Sequence, residues 1–159
     1  MATSPFNSAL ETGLRALSVL TATYPVRADL QRLMAYDYLL VHSADAGGPD
    51  SLHPGVPQRN GELLVRHTIV QNGLFLLLSR NLIERLATEN GIEYCAGDSA
   101  QPFLDQLGSP YVKALRERAD WIATTFADMS NDDLRAYVRT RFAEWTTEFH
   151  FPDAMGTEQ

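Results

Sequence analysis

The chain has 159 residues, 45% of them apolar and 21% charged, with a formal net charge of −7. This fits one soluble domain with a single core, and the acidity argues against a stand-alone binder of phosphate backbone. One cysteine, Cys95, excludes an internal disulfide, no apolar run reaches membrane-spanning length, and no basic region followed by an apolar run opens the chain, so a cytoplasmic protein is expected.

Residues 1–7 are expected to form a loose arm. Ser8-x-x-Glu11 matches a capping box, in which hydroxyl and carboxylate satisfy opposite ends of a first helical turn. The helix that follows places Leu10, Leu14, Leu17 and Leu20 on one stripe and stops at Tyr24-Pro25, because proline disfavours helix at the residue before it. A second helix is predicted from about Ala28 to His42, with Leu30, Leu33, Met34, Tyr38 and Val41 as its apolar stripe.

Residues 43–61 form a long inserted loop containing Gly47-Gly48-Pro49, His53, Pro54 and Arg59. Such loops in compact domains tend to be functional or disordered. Glu62 to Val65 fits either a short strand or a first helical turn. From Arg66 to Ala96 the pattern sharpens. Ile69, Val70, Gly73, Leu74, Leu77 and Leu78 share one helical face, and Arg80-Asn81 closes it, since asparagine tolerates the left-handed conformation. Leu82 to Thr88 reads as a strand, Asn90-Gly91 as a type I′ turn, and Ile92 to Ala96 as the returning strand that buries Cys95. A helix leading directly into a β-ribbon is the pattern of a winged helix.

Beyond the wing, Asp98 to Leu107 predicts a short helix. Pro110 opens a longer one, with Tyr111, Leu115, Ala119, Ile122 and Phe126 on its inner face. Ser130-x-x-Asp133 starts a last helix with Leu134, Tyr137, Val138, Phe142, Trp145 and Phe149 on one side. The expected fold is mainly α with a small β-hairpin: a winged-helix-like core plus two C-terminal helices, a single domain over 1–149 with a flexible tail over 150–159.

Residues able to do chemistry are scattered. His42, Asp45, His53, Glu62 and His67 are possible metal ligands around the loop, but their spacing matches no compact metal motif. Local hydrogen bonding at loop and helix ends is the stronger reading of that set. No serine lies in a nucleophile elbow, and the glycines at 47 and 48 lack the spacing and following Lys-Ser/Thr of a phosphate loop. No catalytic residues, cofactor or metal are assigned, and the chain is not expected to be an enzyme. Arginine outnumbers lysine twelve to one. Arg66, Arg80 and Arg85 flank the presumed recognition helix and wing, where a DNA reader would place its contacts. Against that reading, Phe75 and Leu76 extend the apolar surface of the same helix beyond a core stripe, which suits a protein covering. Trp145 adds an aromatic of the kind enriched at interfaces.

Several stretches together carry a resemblance. They are Phe6-Asn7-Ser8, Leu10 to Leu17, Asp29 to Leu33, Tyr36 to Ser43, Asp45 to Pro49, Ser51 to Pro54, Gly61 to Arg66 and Gly91 to Tyr94. They resemble the second class of middle components of bacterial three-component ABC-ATPase systems, similar to the small subunit of Lamassu-type anti-phage defence. The resemblance runs from about Phe6 to Phe149. It implies a non-catalytic adaptor subunit that holds an SMC/Rad50-like ABC ATPase against an effector, often a nuclease, with DNA contact only within the assembly if at all. It also gives the loop a use as a partner-binding element, with Tyr36, Asp37, His42, His53 and Arg59 nearby. Two other functions stay open at this point. One is a winged-helix DNA-binding transcription regulator, and the other a small metal-dependent enzyme built on the His/Asp loop.

Overall fold

The structure, a computed structural model, describes residues 8–51 and 62–141. Its elements in order are α1 (Ala9–Thr23), β1 (Ala28–Asp29), α2 (Leu30–Val41), a 3-10 turn (Ser43–Ala46), α3 (Glu62–Ser79), β2 (Ile83–Thr88), β3 (Gly91–Ala96), α4 (Ala100–Asp105), α5 (Pro110–Phe126) and α6 (Asn131–Arg141). The three strands form one antiparallel sheet in the order β1-β3-β2. Helix, strand, two helices and a ribbon whose second strand pairs back onto β1 make a winged-helix-like core. α4, α5 and α6 follow it.

α1 is the central element. Ser8 caps it, its hydroxyl accepting from the Glu11 N–H at 3.1 Å. The helix packs against α3 on one side and α5 on another, and α2 also touches it. Enclosed on so many sides, it is buried without interruption from Arg15 to Leu20. The leucine stripe expected from the sequence is therefore only a part of its inner surface, with Leu17 and Leu20 fully buried. Leu10, at the first turn, remains 59% exposed.

α1 and α3 cross where Gly13 meets Gly73. A Cβ at Gly73 would lie 2.9 Å from the Gly13 nitrogen, and one at Gly13 3.3 Å from the Gly73 carbonyl oxygen. The crossing is thus a backbone-to-backbone approach that only glycine allows at Gly73. Glu62 to Val65 belong to α3, which settles the open choice between strand and helix.

Two sequence expectations are corrected here. The second helix does not begin at Ala28. Ala28 and Asp29 pair with Tyr94 and Glu93 as strand β1, and the Asp29 carboxylate caps α2 by accepting from the Arg32 N–H at 2.8 Å. The hairpin turn is also placed one residue earlier than Asn90-Gly91. Thr88 pairs with Gly91, so Glu89 and Asn90 form the loop, and Gly91, at φ 108°, starts β3. The Thr88 hydroxyl sets this geometry. It accepts from the Asn90 N–H at 3.0 Å and donates to the Gly91 carbonyl at 3.1 Å, an alternative to the paired positive φ of a type I′ turn.

The end of α3 follows the sequence closely. Asn81 takes φ 59°, the Asn81 N–H bonds to the Leu78 carbonyl and the Leu82 N–H to the Leu77 carbonyl, both at 3.0 Å. That is a Schellman cap, and it brings Leu77 and Leu82 together as its apolar pair. The hydroxyls of Ser109 and Ser130 cap α5 and α6, accepting from the Val112 and Asp133 N–H groups. Val112, Leu115, Ala119, Ile122 and Phe126 form the buried face of α5, while Tyr111 is half-buried at its edge. On α6, Leu134 and Val138 are buried. The expected faces at Phe142, Trp145 and Phe149, and the tail over 150–159, lie outside the described residues.

Candidate partner-binding surface

Three regions bear on function: a polar seam inside the core, the root of the inserted loop, and the outer face of α3.

The polar seam starts at Arg15. Its Nε donates to an Asp37 carboxylate oxygen at 2.6 Å and its Nη2 reaches the other oxygen at 3.4 Å, with the Thr12 hydroxyl at 3.3 Å. Arg15 is 2% exposed and Asp37 6%. Burial alone would lower the guanidinium's pKa, but the Asp37 charge and hydrogen bond, with the Tyr111 hydroxyl beside them, raise it overall. Burial first, then the Glu11 carboxylate, push the Tyr111 phenol up to about 12, with Arg15 opposing.

Arg32 makes a second seam, one turn before Tyr36. Its Nε donates to the Tyr36 hydroxyl at 2.7 Å and its Nη1 to the Asn131 amide oxygen at 2.7 Å. Its Nη2 donates to the Phe126 and Met129 carbonyls at 3.0 and 2.6 Å. One guanidinium thereby caps the C-terminal end of α5, where cations are favoured, and holds the corner into α6.

These seams account for Tyr36 and Asp37, and His42 ends α2, its N–H donating to the Tyr38 carbonyl. All three side chains are buried. The His42 and Tyr38 rings pack at a tilt of 42° with centroids 4.6 Å apart. The residues suggested as partner contacts on the loop's near side are thus buried within this chain. His53, Arg59 and Trp145 lie outside the described residues.

The loop root is built rather than loose. Gly47 is left-handed at φ 78° and ends the 3-10 turn. The Ser43 hydroxyl, fully buried, donates to the Pro49 carbonyl at 2.8 Å. The Ser51 hydroxyl accepts from the Ala44 N–H at 3.1 Å. From α5, Arg118 donates twice to the Asp50 carbonyl, at 3.0 and 2.8 Å, and Trp121 lies so close to Gly48 that a Cβ there would overlap the indole. From α6, the Tyr137 hydroxyl donates to the Ala46 carbonyl at 3.3 Å. Sequence reasoning passed over Arg118 and Trp121. They lie beside the α5 core stripe, and nothing local marks a side chain that reaches back nearly seventy residues.

The outer face of α3 is where a winged helix would read DNA. From His67 onward, where its side chains are described, its exposed residues are Thr68, Asn72, Phe75 and Ser79, one stripe without charge, and Phe75 is 57% exposed. Between Arg66 and Arg80 the helix has no arginine or lysine. Arg80 stands exposed just past its end and Arg85 exposed on β2. The Arg66 side chain lies outside the description. A neutral stripe centred on an aromatic suits contact with protein better than contact with phosphates.

Among the described residues, no three of His, Cys, Asp and Glu come together as metal ligands, and no helix is long and apolar enough to cross a membrane. Cys95 is buried at the edge of the core, and that burial pushes its thiol up.

No curated protein and no solved structure matches the chain. A family model does, over residues 5–148, and it spans every described element. The chain belongs to the family described as ABC-three component (ABC-3C) system Middle Component 2.

Proposed function

We propose that this chain is a non-catalytic adaptor of a bacterial anti-phage or anti-plasmid defence complex, similar to Lamassu, and that it works in the cytoplasm. It bridges an SMC- or Rad50-like ABC ATPase and an effector, often a nuclease. Its mechanism is positional. The adaptor sets the geometry between the two larger subunits, and DNA is met by the assembly. The observation that carries this reading is membership, over residues 5–148, in a family of middle components, which implies partner subunits. The uncharged, Phe75-centred face of α3 supports it, because it offers a protein surface where a DNA reader would carry cations.

The test is co-expression with the two flanking genes, a pull-down on this chain, and mass photometry of the product. A stable complex containing a large ATPase and the effector is expected. Omitting each flanking gene in turn distinguishes a bridge from a simple satellite, since a bridge retains either partner alone. Recovery of a lone monomer or homodimer, with no partner retained, overturns the reading.

A further inference from the structure

A groove opens between the first turn of α1, the end of α3 and α4. Its cavity volume is about 260 Å³. The buried Schellman pair Leu77 and Leu82 forms its floor, Leu14, Leu76 and Phe103 line it, and Leu10 stands exposed at its mouth. The one charged lining residue is Arg80, which is exposed. Among the described residues its guanidinium makes no hydrogen bond or ion pair.

The groove is below the roughly 300–1,000 Å³ of small-molecule sites and lacks their several converging polar groups. It has room for one or two apolar side chains, the scale at which a helix anchors itself in a partner through residues one turn apart. Arg80 adds a directional requirement. A guanidinium at the rim of an apolar slot selects a planar anion, and a carboxylate meets it with two parallel hydrogen bonds. The occupant is therefore apolar on one face and acidic beside it.

A second copy of this chain does not supply such a helix from its described residues. Among the described residues, the large apolar side chains exposed on its helices are Leu10 and Phe75. Leu10 belongs to the groove itself, and the stripe around Phe75 is uncharged. We propose that the groove receives an amphipathic helix of a partner subunit, with its apolar side chains over Leu77 and Leu82 and a carboxylate on Arg80. This rests on the adaptor reading and locates one of its contacts.

The experiment uses the full chain co-expressed with its two flanking genes, as wild type and as Leu10→Glu, Arg80→Glu and Arg80→Lys. Leu10 and Arg80 are exposed, so the unfolding midpoint of each isolated variant should stay within about 2 °C of wild type. Leu10→Glu and Arg80→Glu should each lower partner affinity about tenfold or more, the scale of a hot-spot residue, and Arg80→Lys should lose less. A photo-cross-linking residue at position 10 should capture a partner helix with Asp or Glu within one turn of the cross-linked apolar residue. Wild-type retention by both the Leu10→Glu and Arg80→Glu variants overturns the groove while leaving the adaptor reading intact. So does a cross-link to a second copy, to this chain's own residues, or to a partner segment without an acid. Failure of the wild-type chain itself to retain any partner removes both.

Discussion

Arg15 and Asp37 show how a single buried pair can dominate a small core. Both charges have left water, and their mutual attraction, with the Thr12 and Tyr111 hydroxyls, compensates for that loss. Removing one partner leaves the other charged and enclosed. Asp37→Asn should therefore destabilise the chain by about 3–5 kcal/mol in urea unfolding, far more than a surface Asp→Asn change. Tyr111 adds a pH signature. An ordinary tyrosine loses its proton near pH 10, whereas here the folded chain holds it to about 12. Between those values the unfolded state has released a proton that the native state keeps, so this group's contribution to stability is complete below pH 10 and declines as pH rises toward 12. Tyr111→Phe should flatten that part of the alkaline stability profile, and an unchanged slope would remove Tyr111 as its source. Little of this was legible in sequence. Tyr36, Asp37 and His42 read there as partner contacts beside the loop, and only the pairing across 22 residues between Arg15 and Asp37 shows Asp37 as core.

At the scale of elements, the α1–α3 crossing makes a prediction opposite to helix propensity. An exposed helical Gly→Ala change stabilises by roughly 1 kcal/mol. At Gly73 the new methyl would press on the backbone of Gly13 and force the helices apart. Gly73→Ala should instead destabilise by about 1–3 kcal/mol, the usual cost of overpacking, read as a lowered urea midpoint at unchanged m-value. A gain in stability would show that the crossing yields. Elements with strong local signals were legible from sequence, including the Ser8 and Ser130 caps, Pro110 at the start of α5, the Asn81 stop and the ribbon itself. Two were not. β1 has two residues, too few for any period, and its existence depends on β3. The hairpin turn depends on a threonine side chain that outcompetes the Asn-Gly signal beside it.

For the molecule as a whole, the winged-helix-like order and the family were readable because both rest on patterns spread along the chain. The partner surfaces were less readable, because exposure is a property of packing. Leu10 belongs to the predicted stripe of α1 yet ends at the mouth of a groove, while Trp121, outside the predicted face of α5, becomes the bed of the loop. That bed has a consequence for how such a protein can vary. Arg118 and Trp121 hold the chain at Asp50 and Gly48, so the inserted segment is tied down on α5 just before residue 52 and rejoins α3 at Glu62. Doubling the length of that segment adds only about 0.6 kcal/mol of loop-closure cost. Substitution or insertion between two such fixed ends therefore leaves the anchoring contacts on α5 in place.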